Sequence, residues 1–231
     1  MSKPLLIIGN KNYSSWSLRP WLALKIAGVD FDEKLVPLFE DDWAERKAEL
    51  PGGTVPVLEH DGLVIWETLA ILEYVAETWP AANLWPQDKA ARAHARAISS
   101  EMHANFTAVR GNMPMNIRNF DPGRGRGRTA EEKVQVERDI RRIEHIWTEC
   151  RETYGADGDF LFGAFSNADA MFAPIVSRFT TYAVELNPTC QAYMKAVQGL
   201  AAMIEWSDAG RSEPWTIEED EVDFVEGKTD N

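Results

Sequence analysis

The chain has 231 residues, 45% of them apolar, enough to fill one large core or two modest ones, and a net charge of -13. That acidity argues against nonspecific affinity for nucleic acid or anionic membrane, and the lack of any run of about 18 apolar residues excludes a membrane-spanning helix. Met1-Ser2-Lys3-Pro4 leads straight into apolar sequence with no leader-peptide pattern, so a cytoplasmic protein is the expectation.

Leu5-Leu6-Ile7-Ile8-Gly9 is short and branched enough to be a buried strand, and Asn10 to Leu24 passes from it into a helical pattern ending near Gly28. Ser14, Ser15 and Ser17 therefore sit where a strand hands over to a helix. Unpaired N–H groups and the positive helix end favour an anion there, whether phosphate, carboxylate or thiolate. Phe31 to Pro37 reads as a second strand, Asp41 to Glu49 as a weak helix and Leu50-Pro51-Gly52-Gly53 as a loop. Thr54-Val55-Pro56-Val57-Leu58-Glu59-His60 and Leu63-Val64-Ile65-Trp66, joined by Asp61-Gly62, predict a hairpin, because a two-residue turn needs positive φ at both positions. Pro56 belongs on an edge or after a cis bond. If Val55-Pro56 is cis, the Val55 backbone is free to pair with an extended, peptide-like ligand. Glu67-Thr68 opens a helix carrying Leu72, Val75 and Trp79 on one face. They either cap that helix or hold an amino-acid head group, with Glu67 taking its ammonium.

Beyond Trp79-Pro80 the pattern is helical. Lys89 to Gly111 is predicted as one long helix, Phe120 to Arg128 as a Gly/Arg-rich loop, and Thr129 to Glu132 as a capping box starting a helix with Val136, Ile140, Ile143 and Trp147. Ser166-Asn167-Ala168-Asp169 starts another, with a kink expected at Pro174, and Asn187-Pro188 starts the next. The order βαβαββα followed by helices predicts an α+β domain over residues 1–80, a linker over 81–88 and an all-helical domain over 89–231. Cys150 and Cys190 lie far apart in helical patterns, so no disulfide framework or redox motif is present. His94, His103 and His145 lack metal-ligand spacing, and no metal is expected. Arg124, Arg126 and Arg128 read as a solvated loop, and Glu218, Glu219, Asp220, Glu221, Asp223 and Glu226 as a solvated acidic tail.

Tyr13-Ser14-Ser15-Trp16-Ser17-Leu18-Arg19, Thr54-Val55-Pro56-Val57-Leu58 with Asp61-Gly62, Glu67-Thr68-Leu69-Ala70-Ile71-Leu72-Glu73-Tyr74 and Ser166-Asn167-Ala168-Asp169 together resemble the cytosolic glutathione transferase superfamily. The resemblance implies a thioredoxin-like N-terminal domain, a helical C-terminal domain, glutathione as co-substrate and a homodimer. The first stretch is similar to the Ser-Ser-Cys-x-x-Arg pattern of zeta-class members, with Trp16 in the place of the cysteine. By that match Ser14 is the activating hydroxyl, with Ser15 and Tyr13 as alternatives. Val55-Pro56 would be cis and pair with the cysteinyl backbone, while Glu67 and Thr68 would hold the γ-glutamyl end. Met102, Phe106 and Arg110 would face a hydrophobic substrate pocket, although a Met and Phe stripe is also ordinary core. The function implied is a serine-type, detoxifying transfer of glutathione thiolate to a small electrophile. A glutathione-dependent isomerase of the maleylacetoacetate type and a noncatalytic interaction protein are the alternatives. The isomerase arginine would fall near Thr181, one turn beyond Arg178.

Overall fold

Branched residues at Leu5–Ile8 form strand β1 at the middle of a sheet, and the computed structural model describes residues 2–40 and 42–221 around it. Helix α1 follows at Ser15–Ile26, then β2 at Asp32–Leu35, α2 at Trp43–Glu49, β3 at Val57–His60, β4 at Leu63–Trp66 and α3 at Thr68–Thr78. The sheet order is β2-β1-β3-β4. β1 runs parallel to β2, with Leu5 opposite Asp32, and antiparallel to β3, with Ile7 opposite Val57. β3 and β4 pair antiparallel, with Val57 opposite Trp66. Asp61 and Gly62 both take positive φ, 48° and 79°, as a two-residue hairpin turn requires.

The remaining elements are α4 at Lys89–Ala104, α5 at Thr107–Asn112, α6 at Ala130–Tyr154, α7 at Asn167–Thr181, α8 at Pro188–Gln198 and α9 at Ala201–Ser212. The chain thus has a thioredoxin-like sheet with its helices followed by a helical region. The single helix expected over 89–111 is two. Phe106, at φ 59°, turns the chain, and Asp139 of α6 accepts the N–H groups of Ala108 and Val109, both at 3.1 Å, so α5 begins afresh on a half-buried carboxylate. Within residues 81–88, Leu84 and Trp85 are buried, and Leu84 C=O accepts the Asn167 N–H at 2.7 Å.

Helix α1 joins the two halves, packing on α3, α7 and α9. Its Leu18, Trp21, Leu22 and Leu24 share one apolar core with Phe172, Phe179 and Trp206. Burying each of these large side chains favours the fold by about 1.5–3 kcal/mol. Helix α7 continues through Pro174 and starts on a reciprocal Ser166–Asp169 capping box. Burial pushes the Asp169 carboxyl up to about 6, against the hydrogen bonds from Leu161 N–H and from Ser166 N–H and hydroxyl.

The expectation of a solvated acidic tail holds for the exposed Glu218 and Glu219 and fails for Asp220 and Glu221, which are half-buried. Residues 213–221 run back from α9 as a strap over the β1–α1 loop. Glu213 accepts the Lys11 and Asn12 N–H groups at 2.7 and 3.1 Å. Glu221 accepts from Tyr13 Oη at 2.6 Å, Asn116 Nδ2 at 2.9 Å and Asn119 Nδ2 at 3.1 Å. Burial outweighs the bonds from Lys11 and Asn12 and raises the Glu213 carboxyl above its ordinary value. Asp223 and Glu226 lie outside the described residues.

Candidate functional site

The loop between β1 and α1 turns on Asn10, whose C=O accepts the N–H groups of Tyr13 and Ser14 at 3.2 and 2.7 Å and whose Oδ1 accepts the Leu38 N–H at 2.8 Å. This tight turn sets Tyr13, Ser14 and Ser15 at the start of α1. Ser14 Oγ donates to Ser17 Oγ at 2.7 Å, and Ser17 Oγ also accepts the Gly9 N–H at 3.1 Å. Ser15 Oγ accepts from Arg178 Nη2 at 3.2 Å, while the Ser15 C=O accepts from Arg19 Nη1 at 3.0 Å. Tyr13 Oη donates to Glu221 and accepts from Arg118 Nη2 at 2.6 Å. Burial, then the Glu221 carboxylate, raise the Tyr13 phenol above its ordinary value.

Trp16 is the next residue and the hinge of the site. Its ring lies between the guanidiniums of Arg19, 4.1 Å from the ring centroid, and Arg110, 4.9 Å away. The His103 ring meets it edge-on at 5.2 Å. Trp16 C=O accepts the Thr68 hydroxyl at 3.1 Å, which ties the start of α3 to the start of α1. A cleft of about 290 Å³ opens here, lined by Trp16, Thr54, Val55, Pro56, Glu67, Thr68, His103 and Arg110. The Val55-Pro56 bond is cis, and Val55 lies ahead of the ladder, which begins at Val57. Glu67 takes φ 69° and Thr68 is the first residue of α3, so an acceptor, backbone groups and a helix N-terminus face one cavity.

The structure thus brings Val55, Pro56, Glu67, Thr68 and Arg110 together, with Ser14 and Ser15, each 8% exposed, set beside them rather than lining the cleft. Met102 is wholly buried in the core, and Phe106 borders a separate polar cleft of about 510 Å³ between α4, α5 and α6. Thr181 donates its hydroxyl to Asn116 C=O and does not reach the serines. Trp16, His103, Arg178 and Glu221, which the sequence marks for other reasons, and Arg118, which it does not mark, also lie at or around the site. Among the described residues the buried Nδ1 of His103 has no partner, and the side chain faces the cleft rather than a surface.

In an acidic chain, this end is cationic. Burial first, then mutual repulsion with Arg178 and Arg110, holds Arg19 well below its ordinary value, and burial lowers Arg110 too. Arg178 falls to about 10 through burial and the nearby Arg110, with Asp220 pulling the other way. It stays charged at neutral pH. Burial pushes the Asp220 carboxyl up to about 6 despite the attraction of Arg178, so desolvation outweighs the pair.

Residues 13–78 match the family described as glutathione S-transferase, N-terminal domain. Over 98 residues the chain is 44% identical to a protein described as a probable maleylacetoacetate isomerase of Caenorhabditis elegans, covering 42% of this chain and 45% of that one. Over 101 residues it is 40% identical to the maleylacetoacetate isomerase of Rattus norvegicus, covering 42% and 46%. The matched segments thus span less than half the length of these relatives. Among solved structures, a bacterial maleyl pyruvate isomerase described as a zeta-class glutathione S-transferase superposes with a TM-score of 0.68 at 20% identity, over 91% of this chain and 98% of that one. That likeness speaks for the fold, and the N-terminal match speaks for descent. Residues 13–78 thus belong to the glutathione S-transferase N-terminal domain family, and the chain as a whole has the glutathione transferase fold.

Proposed function

We propose that the chain binds glutathione in the Trp16–Thr68 cleft and activates its thiol through an N-terminal serine, Ser14 or Ser15, for attack on a small electrophile. The observation that carries this reading is the convergence of Val55, Glu67 and Thr68 on one cavity beside the α1 start. An extended tripeptide needs a backbone to pair with, a carboxylate for its ammonium and a helix N-terminus for its carboxylate, in that arrangement. The reaction needs a thiolate. A free thiol near pKa 8.5 is mostly protonated at neutral pH. A hydroxyl donating to the sulfur contributes roughly 1.5–3 kcal/mol and the helix end roughly 0.3–1, together lowering the thiol pKa by roughly 1.5–3 units. The thiol proton leaves to water, a sulfur lone pair forms the S–C bond, and the electron pair displaced from the electrophile goes to a leaving group or is protonated by water. Trp16 in place of a cysteine removes the nucleophile that mixed-disulfide reduction would need.

The isomerase reading gains from Arg110, which lines the cleft and suits a carboxylate-bearing substrate, with Arg19 and Arg178 buried nearby adding positive charge. There the sulfur adds to a double bond, rotation follows and the thiolate is expelled, so glutathione is regenerated. Thermal unfolding with millimolar glutathione tests both readings, since any micromolar binder gains about 4 kcal/mol at a thousandfold excess over Kd. No stabilisation would leave a noncatalytic interaction protein. Consumption of glutathione during turnover then separates transferase from isomerase. For a homodimer, the exposed Val64 and Trp66, which share one face of edge strand β4, offer an apolar patch.

A further inference from the structure

Three hydroxyls stand at the start of α1, and two have their protons directed into the protein. Ser14 Oγ donates to Ser17 Oγ at 2.7 Å, and Tyr13 Oη donates to Glu221 Oε1 at 2.6 Å. Ser15 differs. Its Oγ accepts from Arg178 Nη2 at 3.2 Å, and among the described residues nothing accepts its proton. Its backbone is fixed as well, since Arg19 Nη1 donates to Ser15 C=O and Arg19 Nε to Met171 C=O. Arg178 is itself immobilised: its Nε donates to Met113 C=O at 2.8 Å and Nη1 to Pro174 C=O at 3.4 Å. A guanidinium donating into a hydroxyl oxygen polarises the O–H bond and makes it a better donor on its other side.

We propose that Ser15 is the hydroxyl that meets the glutathione sulfur and that Arg178, delivered by α7 from the helical half, is its positioning residue. This rests on the glutathione reading above. The thiol proton leaves to water, and Ser15 keeps its own proton while sharing it with the sulfur, so no bond to the protein forms. Arg178 acts twice. It occupies a lone pair of Ser15 Oγ, which leaves the hydroxyl proton available to the sulfur, and with Arg19 and Arg110 it supplies positive charge that an anion at the sulfur position offsets. The helical half thereby sets the acidity of a thiol held by the sheet half.

The test is an ultraviolet pH titration of enzyme-bound thiolate, with binding measured separately by calorimetry, in wild type, Ser14→Ala, Ser15→Ala, Arg178→Lys and the Ser15→Ala/Arg178→Lys double variant. Ser15→Ala is expected to weaken the bound thiol's acidity about ten- to a hundredfold, more than Ser14→Ala does. Arg178→Lys should weaken it in the same direction, and the double variant should be little worse than Ser15→Ala alone. A larger loss in Ser14→Ala overturns the choice of hydroxyl. Additive losses, or unchanged acidity in Arg178→Lys, overturn the positioning role. If Arg178→Lys does not fold, the guanidinium nitrogen resonances of wild type decide: they move on glutathione binding and stay still in Ser15→Ala, and resonances unmoved in wild type refute the pairing. Absence of calorimetric binding in wild type defeats the glutathione reading itself, a result distinct from binding with the wrong residue dependence.

Discussion

Trp16 follows the two serines, and the Arg19 and Arg110 guanidiniums over its ring help make the indole a wall of the cleft. Glu67 faces the same cavity as an exposed carboxylate, suited to an ammonium. Replacing it by glutamine keeps the shape and removes the charge, so Glu67→Gln is expected to weaken glutathione binding about ten- to a hundredfold in calorimetry, with little effect on unfolding. The residues around Val55 and Glu67 were legible because proline, an Asp-Gly turn and a helix start are local signals. Arg178 was not. Its role depends on α7 crossing α1, and the available hint was a lone arginine in the apolar run Phe172-Ala173-Pro174-Ile175-Val176-Ser177-Arg178-Phe179. Burying an unpaired guanidinium is costly enough to imply a partner, and no spacing rule names Ser15 as that partner.

Element boundaries followed the periodicity closely, from the hairpin at Asp61-Gly62 to the capping boxes at Thr129 and Ser166. They failed where one element ends on another. The break at Phe106 needs Asp139 from α6, and the strap over residues 213–221 needs Arg118, whose guanidinium donates to Glu213 C=O, Trp215 C=O and Tyr13 Oη. A run of acidic residues says nothing about the donors it will meet. Because Tyr13 Oη joins Arg118 to Glu221, Tyr13→Phe and Glu221→Gln are expected each to destabilise the chain by about 1 kcal/mol and to be coupled in a double-mutant cycle of urea midpoints. Additive losses would show that the strap is held elsewhere. At the edge of the sheet, Val64→Glu places a charge on the exposed face that Val64 shares with Trp66, and sedimentation velocity is expected to show a dimer in wild type giving way to monomer.

For the whole molecule, two carboxyls titrate near 6 in the folded chain against an ordinary value of 3.8: Asp169 at the buried start of α7 and Asp220 in the strap. Between those values the folded state binds more protons than the unfolded one. Their contribution to stability is therefore greatest below about pH 4 and falls as pH rises through 6. The net charge of -13 acts the same way, because self-repulsion eases as carboxylates protonate. Urea midpoints are expected to be higher at pH 5 than at pH 7, and Asp220→Asn should flatten that slope. A midpoint that rises with pH would mean that Asp220 is ionised and paired throughout.

The contact between Lys11 and Glu213 joins residues 202 positions apart. During synthesis the serine loop leaves the ribosome long before the segment that clasps it. At about 5–20 residues per second, that interval is roughly 10–40 s. Over that time the apolar flank of α1 that later meets α7 and α9 has no cover from them. A nascent chain stalled before residue 213 would present a formed sheet with an unfinished reaction centre, a natural substrate for chaperones, and the centre would be completed only after the strap emerges.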